Sequence, residues 1–562
     1  MSASHLVIAP MLVALVAAIA TLLSRRTPRI QRGLSLLGGV AYVVAVAQLA
    51  QRVLSGGVLV YQLSDWQAPF GITLVADELS VFMLALAAVV ALAAVVFSTI
   101  YLDSFGQRIS YHPLFHFMLV GVSGAFLTGD VFNLFVWFEV MLMPSYILVV
   151  FYSGREHTRA ALYYTVLNLL GSAVMLLAIG GLYATTGTLN MADLSYRLAH
   201  ASQFGIDPGP VLGLSAMLFA VFALKAGIFP FQFWVPSVYR AAPAPVSAVL
   251  AGITKKVGIY AIIRLYFTVF GTAALPSGLA LPGMSGNSFL AFFGPIMFVM
   301  ASASILLGGL GAVAQQDLDS VFAHSSIGQV GFILLPLAIG ATASGATGGQ
   351  QLGVLAVTAA LLYSLNHAVA KALLFMASGV VGESVGSIEF EDLGGLTTYE
   401  PILSGVVLVG GLALIGVPPL AGFFGKLLVF DTAGRAAVVG EPFAWLALAV
   451  ALGGAILTIA YISRTWNRGF WGEPSAMVAN RARQRSLVTI VAVLALTLVA
   501  IGIGFDPIYS AAQAAAHAAL DSQGYVRAVD PTTVSQVLNG TRATEGANTT
   551  HALVVGALGV LR

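Results

Sequence analysis

All five lysines of this chain, Lys225, Lys255, Lys256, Lys371 and Lys426, lie inside long apolar segments, and no loop contains one. The remaining 20 of the 25 basic residues are arginine. A general preference for arginine accounts for loops without lysine, but not for lysines confined to membrane-like sequence. A charged side chain at bilayer depth is costly, so it faces protein or water and marks an ion or proton path. Burial disfavours the charged form of a lysine and a nearby carboxylate favours it, so such a group can be made to take up and release a proton. Groups of this kind titrate as a coupled set. His367 and Lys371, four residues apart, share one helix face, and imidazole both accepts and donates a proton near neutral pH. Stepwise proton transfer is the chemistry these residue types support. Covalent chemistry has no comparable signature. The chain has no cysteine, which excludes disulfides, iron–sulfur clusters and thiolate metal sites. It has no phosphate-cradling loop, dinucleotide glycine fingerprint or HExxH metal motif. No cofactor is expected, and energy must come from an ion gradient or from a partner that performs redox chemistry.

The elements that must hold these residues are membrane helices. Hydrophobic residues make up 59% of the chain, charged residues 9%, and mean hydropathy is +0.93. The net charge of +2 points to neither nucleic acid nor an acidic substrate. Apolar runs of about 20 residues, long enough to cross a bilayer as helices, recur along the chain. Their Gly and Ala content suits helix packing in lipid rather than the alternation of a β-barrel. About fourteen spans are expected, at 4–23, 34–52, 79–102, 112–128, 130–152, 160–187, 211–238, 243–271, 288–311, 321–341, 352–380, 401–433, 443–468 and 486–508.

Two of these spans are interrupted. The seventh contains Leu224-Lys225-Ala226-Gly227-Ile228-Phe229-Pro230, and the twelfth contains Gly416-Val417-Pro418-Pro419-Leu420-Ala421-Gly422-Phe423-Phe424-Gly425-Lys426. Proline removes a helical hydrogen bond and clashes with the preceding turn, and the freed carbonyls are tolerated in a membrane only where protein or water satisfies them. Interrupted spans in corresponding positions point to an inverted-repeat transporter and its site. The breaks lie five spans apart, and an odd unit length forces opposite orientation. The expected fold is therefore an all-α polytopic membrane protein with two inverted five-helix repeats, helices 4–8 and 9–13, and broken helices 7 and 12. The corresponding divisions are 1–111 (helices 1–3), 112–271 (first repeat), 288–468 (second repeat), 486–508 (helix 14) and 509–562 (a short extracytoplasmic tail).

Basic loops favour the cytoplasm. Arg25, Arg26, Arg29 and Arg32 follow the first span, which lacks the charged leader of a signal peptide, so the N-terminus is expected outside. Arg108, Arg155, Arg159, Arg240, Arg464, Arg468, Arg481, Arg483 and Arg485 fall on the Arg25 side, and Arg52, Arg197 and Arg435 on the other. An even span count places the tail outside too, as a short helix and a partly ordered end. Arg264, near the end of helix 8, is expected to snorkel to the surface. Asp103 and Asp130 are interfacial, with cation entry as a second role for either. His324 either lines a water chain on helix 10 or is an ordinary polar residue near a helix end.

Several stretches resemble the proton-conducting membrane subunit family, which includes antiporter-like subunits of respiratory complex I, of membrane-bound hydrogenases and of multisubunit Mrp-type cation/proton antiporters. They are Lys225-Ala-Gly-Ile-Phe-Pro-Phe-Gln-Phe-Trp-Val-Pro236, Ala241-Ala-Pro-Ala-Pro-Val-Ser247, Ala251-Gly-Ile-Thr-Lys-Lys-Val-Gly-Ile-Tyr260, Asn133-Leu-Phe-Val-Trp-Phe-Glu139, Asn366-His-Ala-Val-Ala-Lys-Ala-Leu-Leu-Phe375 and Gly422-Phe-Phe-Gly-Lys426. The resemblance covers residues 75–470 and implies a fold of fourteen helices with the repeats and breaks described above. It implies that Glu139 on helix 5 and Lys225 at the helix 7 break form an ion pair that opens and closes. It further implies that Lys256 passes protons towards the centre, that His367 and Lys371 form the helix 11 pair, and that Lys426 is the terminal residue. Lys255, about 100° from Lys256 around the helix, is read as a packing or interfacial residue with a lesser claim on the path, as have His324 and Asp130.

Taken together, the resemblance implies a proton-translocating subunit of a multisubunit Na⁺(K⁺)/H⁺ antiporter of the Mrp D type. It would sit in a prokaryotic plasma membrane beside a larger related subunit and several small hydrophobic ones. The alternative is an antiporter-like pumping subunit of a redox-driven complex. A scaffold that has kept the fold but lost transport is disfavoured by the intact set of charged residues.

Overall fold

The computed structural model describes residues 4–530, except 104–109, 277, 280, 283, 285 and 346–348. Arg108 and the stretch 531–562 of the expected tail lie outside the described residues. The chain is a helical bundle. Its crossings, in order, are α1 (His5–Leu23), α2 (Pro28–Gly56), α3 (Glu78–Tyr101), α4 (Tyr111–Leu127), α5 (Val131–Val149), α6 (Arg155–Thr186), α7 (Pro208–Ala226, then Trp234–Ala241), α8 (Ala244–Thr272), α9 (Phe289–Ala314), α10 (Leu318–Thr342), α11 (Gly349–Val385), α12 (Pro401–Ile415, then Ala421–Val438), α13 (Ala444–Gly469) and α14 (Arg485–Ile503). Among the described residues, 12 helices are long and apolar enough to cross a membrane. The short α4 and the split α12 supply the other two expected segments. A two-stranded antiparallel hairpin, Leu59–Gln62 with Thr73–Ala76, joins α2 to α3.

Helix starts are fixed by side-chain caps, which satisfy backbone N–H groups that have no partner in the first turn. Asp77 accepts from Ser80 N at 2.9 Å, Asp130 from Asn133 N at 2.7 Å, and Asp317 from Ser320 N at 2.8 Å. Two of these starts are built alike. At α5, Val131 N donates to Leu189 O and Met191 N to Gly129 O; at α10, Leu318 N donates to Ile388 O and Phe390 N to Gln316 O. Each ties a helix start to the loop that follows the next helix, and the two lie five helices apart.

The core of the bundle is α8, α10 and α11. Their apolar windows are 100%, 94% and 89% buried, against 33% for α2, α6 and α14. Three of the six residues assigned to the proton path, Lys256, His367 and Lys371, together with Lys255, ride on α8 and α11, two of these three most buried helices.

One expectation is corrected at the end of α8. Arg264 does not snorkel: it is 1% exposed and its Nη2 lies 2.7 Å from Asp77 Oδ1. The reason is the tail, which packs back onto the bundle. Helices α15 (Phe505–Leu520) and α16 (Ser522–Val529) cover α3, α8 and α11. Thr268 Oγ1 donates to Ala519 O at 2.7 Å and Ser522 Oγ donates to Thr268 O at 2.6 Å. The tail therefore covers Arg264, which stays paired with Asp77 inside the protein.

Candidate functional site

The first break ends the long half of α7 with Gly227 at φ +65°, in the left-handed region that favours glycine. A Cβ there would lie 2.7 Å from Val235 and 3.1 Å from both Cε and Nζ of Lys255. The carbonyl of Leu224 accepts from Trp234 Nε1 at 2.9 Å, so the interruption is satisfied by protein. Lys225, two residues before Gly227, is buried; its Nζ donates to the Tyr164 hydroxyl at 3.1 Å. Tyr164 also accepts from Ser145 of α5 at 3.3 Å. Glu139 is half-buried on α5 and accepts from Ser172 of α6. Lys225 and Glu139 thus make no direct ion pair. They are held on the same helix, α6, by side chains two turns apart.

The centre is a junction of four cationic or titratable groups. Lys256 Nζ donates to Ala251 O at 2.9 Å and is hydrogen-bonded to His367 Nδ1. The bond to Ala251 spans five residues and lies across a π-helical turn, Leu250–Thr254; such turns re-aim side chains within otherwise regular helices. On the far side of the imidazole, Nε2 lies 3.3 Å from Ser326 Oγ, which also accepts from Lys255 Nζ at 3.4 Å. Both lysines of the pair therefore connect to His367, one to each ring nitrogen. Of the two roles expected for Lys255, the interfacial one does not hold: it is 0% exposed. The separation around the helix was correct, but a serine on α10 closes it. Lys371 Nζ, one turn along α11 from His367, donates to Phe322 O at 2.7 Å and to Ser325 Oγ.

From Ser325 the polar line continues to the second break. Ser325 interacts with the Tyr461 hydroxyl of α13. Tyr461 accepts from Gln329 Nε2 at 2.8 Å, Gln329 Nε2 also donates to Thr458 Oγ1 at 3.2 Å, and Gln329 Oε1 accepts from Tyr363. Thr458 Oγ1 in turn accepts from Lys426 Nζ at 3.5 Å. Lys426 lies 4.7 Å from the Phe332 ring centre and against Gly416, which ends the first half of α12 at φ +92°. In both breaks a left-handed glycine adjoins a lysine side chain.

Other sequence candidates lie elsewhere. His324 Nδ1 bonds to its own helix at Ser320 O, and the ring packs on Gly311. Asp130 caps α5 through Asn133; burial pushes its carboxyl up, opposed by the bonds from Asn133. Sequence reasoning missed Tyr164, Ser172, Ser325, Ser326, Gln329, Tyr363, Thr458 and Tyr461. Part of the signal was present. Ser325, Ser326 and Gln329 sit together in an apolar helix, and Tyr363, His367 and Lys371 recur at four-residue spacing. Among the described residues, no group of three or more His, Asp or Glu is placed to hold a metal ion.

Comparison with known proteins gives consistent relatives. The family described as NADH:quinone oxidoreductase/Mrp antiporter, TM, matches residues 128–454. The chain is 33% identical over 529 residues to the D component of the Na(+)/H(+) antiporter of Alkalihalophilus pseudofirmus, covering 94% of this chain and 99% of the relative. It is 34% identical over 465 residues to the N component of the NADH-quinone oxidoreductase of Desulforudis audaxviator, covering 82% and 84%. A chain of the Mrp complex from Dietzia sp. superposes with a TM-score of 0.80 at 27% identity, covering 94% of this chain and 100% of that one.

Proposed function

The chain belongs to the NADH:quinone oxidoreductase/Mrp antiporter membrane family, and from that premise we propose that it is the proton-translocating, D-like subunit of a multisubunit Na⁺(K⁺)/H⁺ antiporter. It is a secondary transporter subunit, not an enzyme. Protons move along Glu139, Lys225, Lys255, Lys256, His367, Lys371 and Lys426. The observation that carries the reading is two buried runs of polar contacts that meet at α11, one joining Lys255 and Lys256 through His367 and the other joining Lys371 through Ser325, Tyr461, Gln329 and Thr458 to Lys426. In the mechanism, Glu139 approaches Lys225 and holds its proton as a charged pair; when they part, the buried ammonium is destabilised and its proton passes towards Lys255 and Lys256. Helices 4–8 and 9–13 act as inverted halves, and the matching ties at α5 and α10 support that relation. The arginine distribution supports N- and C-termini outside a prokaryotic plasma membrane. A larger related subunit and small hydrophobic subunits are the expected partners.

A redox-driven complex is the second reading, favoured by the 34% identity to an NADH-quinone oxidoreductase component. Gentle-detergent affinity purification with mass spectrometry separates the two. Small hydrophobic subunits with a larger related one, and no cofactor-bearing protein, support the antiporter; iron–sulfur, flavin or nickel proteins in the particle support the redox-driven pump. In vesicles, assembled Lys225→Ala complex should carry no Na⁺- or K⁺-driven proton flux, and normal flux would remove Lys225 from the mechanism.

A further inference from the structure

Further polar residues stand on α8 beyond the centre. Tyr260 and Arg264 follow Lys256 at four-residue spacing; Arg264 Nε donates to the Tyr260 hydroxyl at 3.2 Å, and that hydroxyl donates to Phe126 O at 2.9 Å. Arg264 is paired with Asp77, and both are 1% exposed. The pair adjoins a cavity of about 550 Å³ lined in part by Asp77, Glu78, Gln350, His517, Asp521 and Tyr525. Asp77 Oδ2, Arg264 Nη1 and the Tyr525 hydroxyl are buried without a hydrogen-bond partner, which is costly unless the groups have a use. The Tyr525 ring, 5.0 Å from the guanidinium, roofs the pair.

We propose that this cavity is an access route to the proton relay, and that the Asp77–Arg264 pair is the gate at its inner end. The proposal rests on the relay reading above. A guanidinium stays protonated, so Arg264 carries no proton itself; fixed beside Tyr260, its charge bars hydronium and metal cations from reaching Lys256 and His367. The gate opens when hydronium in the cavity gives its proton to Asp77 Oδ2. Water and a neutral acid result, and the attraction that holds Arg264 is lost. Glu78 and Asp521 on the cavity wall are the anions towards which the guanidinium can then swing. In the orientation proposed above, the route opens outside.

The test uses proteoliposomes holding the whole complex. Removing one partner strands the other charge and is strongly destabilising, whereas neutralising a buried pair together is often tolerated. The double variant Asp77→Asn/Arg264→Gln is therefore the informative one. A gate predicts an assembled complex whose passive proton leak, without Na⁺ or K⁺, rises several-fold. Unaltered leak and exchange would overturn the gate and leave a structural pair. Should the double variant not assemble, the absence of cysteine from this chain permits Ala518→Cys on the cavity wall, read against the complex without that substitution labelled in parallel. A charged, membrane-impermeant thiol reagent should label it from one face and slow exchange several-fold; failure to label, or full labelling with normal exchange, overturns the route. Normal exchange by Lys225→Ala would instead sink the relay itself, so the two failures are distinguishable.

Discussion

Lys256 of α8 and His367 of α11 share a hydrogen bond at the centre of the bundle, on Nδ1, while Ser326 holds the opposite nitrogen of the same imidazole. A ring bonded on both edges can accept a proton on one side and release one on the other, which no amide can do. His367→Gln keeps polar contacts at the site but removes that ability. The complex should assemble, and cation-driven proton flux should fall by about tenfold or more, as when a positioned proton-transfer group is lost. Flux near the native rate in vesicles would make His367 a structural residue.

Lys255 and Lys256 reach the same imidazole by different routes, and only Lys255 lies against Gly227 at the α7 break. It is thus the member of the pair that touches the break, two residues from Lys225. Lys255→Ala should impair flux as severely as Lys256→Ala. Parallel assays of the two variants at matched assembly decide this, and a mild Lys255→Ala effect would confine the path to Lys256.

Much of the fold was legible because membrane helices announce themselves locally. Runs such as 79–102 and 288–311 need only length and hydropathy, and the α7 and α12 breaks need only Gly and Pro. The links between the charged residues were not legible, since they depend on which serines and tyrosines of other helices meet the lysines. Ser326 closing the gap between Lys255 and His367 is a contact between α10 and neighbours 41 and 71 residues away in sequence. Arg264 was misread for a related reason. Snorkelling presumes open surface beyond the helix end, and the fold-back of α15 and α16 onto Thr268 removes it.

Gly227→Ala tests the break itself. Its φ of +65° is strained for alanine, and the new methyl would meet Val235 and the Lys255 ammonium. A loss of about 1 kcal/mol or more is expected from the backbone alone, seen as a lower melting temperature of the solubilised complex. Flux should fall further than stability does, because Lys255 is displaced. An unchanged melting temperature would mean that the break relaxes freely around the methyl.

Gln329 is the hub on the Lys426 side, joining Tyr363 of α11 with Thr458 and Tyr461 of α13. Gln329→Leu keeps the volume but leaves the buried Tyr363 hydroxyl without an acceptor and takes one donor each from Tyr461 and Thr458. A stranded buried hydroxyl costs about 1–3 kcal/mol, so this variant alone conflates instability with a severed path. Tyr461→Phe is the cleaner probe: it removes the hydroxyl between Gln329 and Ser325, and leaves Gln329 bonded to Tyr363 and Thr458. Were the network only a clamp, flux and melting temperature would decline together and modestly. As a conducting link between Lys371 and Lys426, it should lower flux by about tenfold or more at a nearly native melting temperature. Native flux in an assembled Tyr461→Phe complex would place the route between Lys371 and Lys426 through other groups.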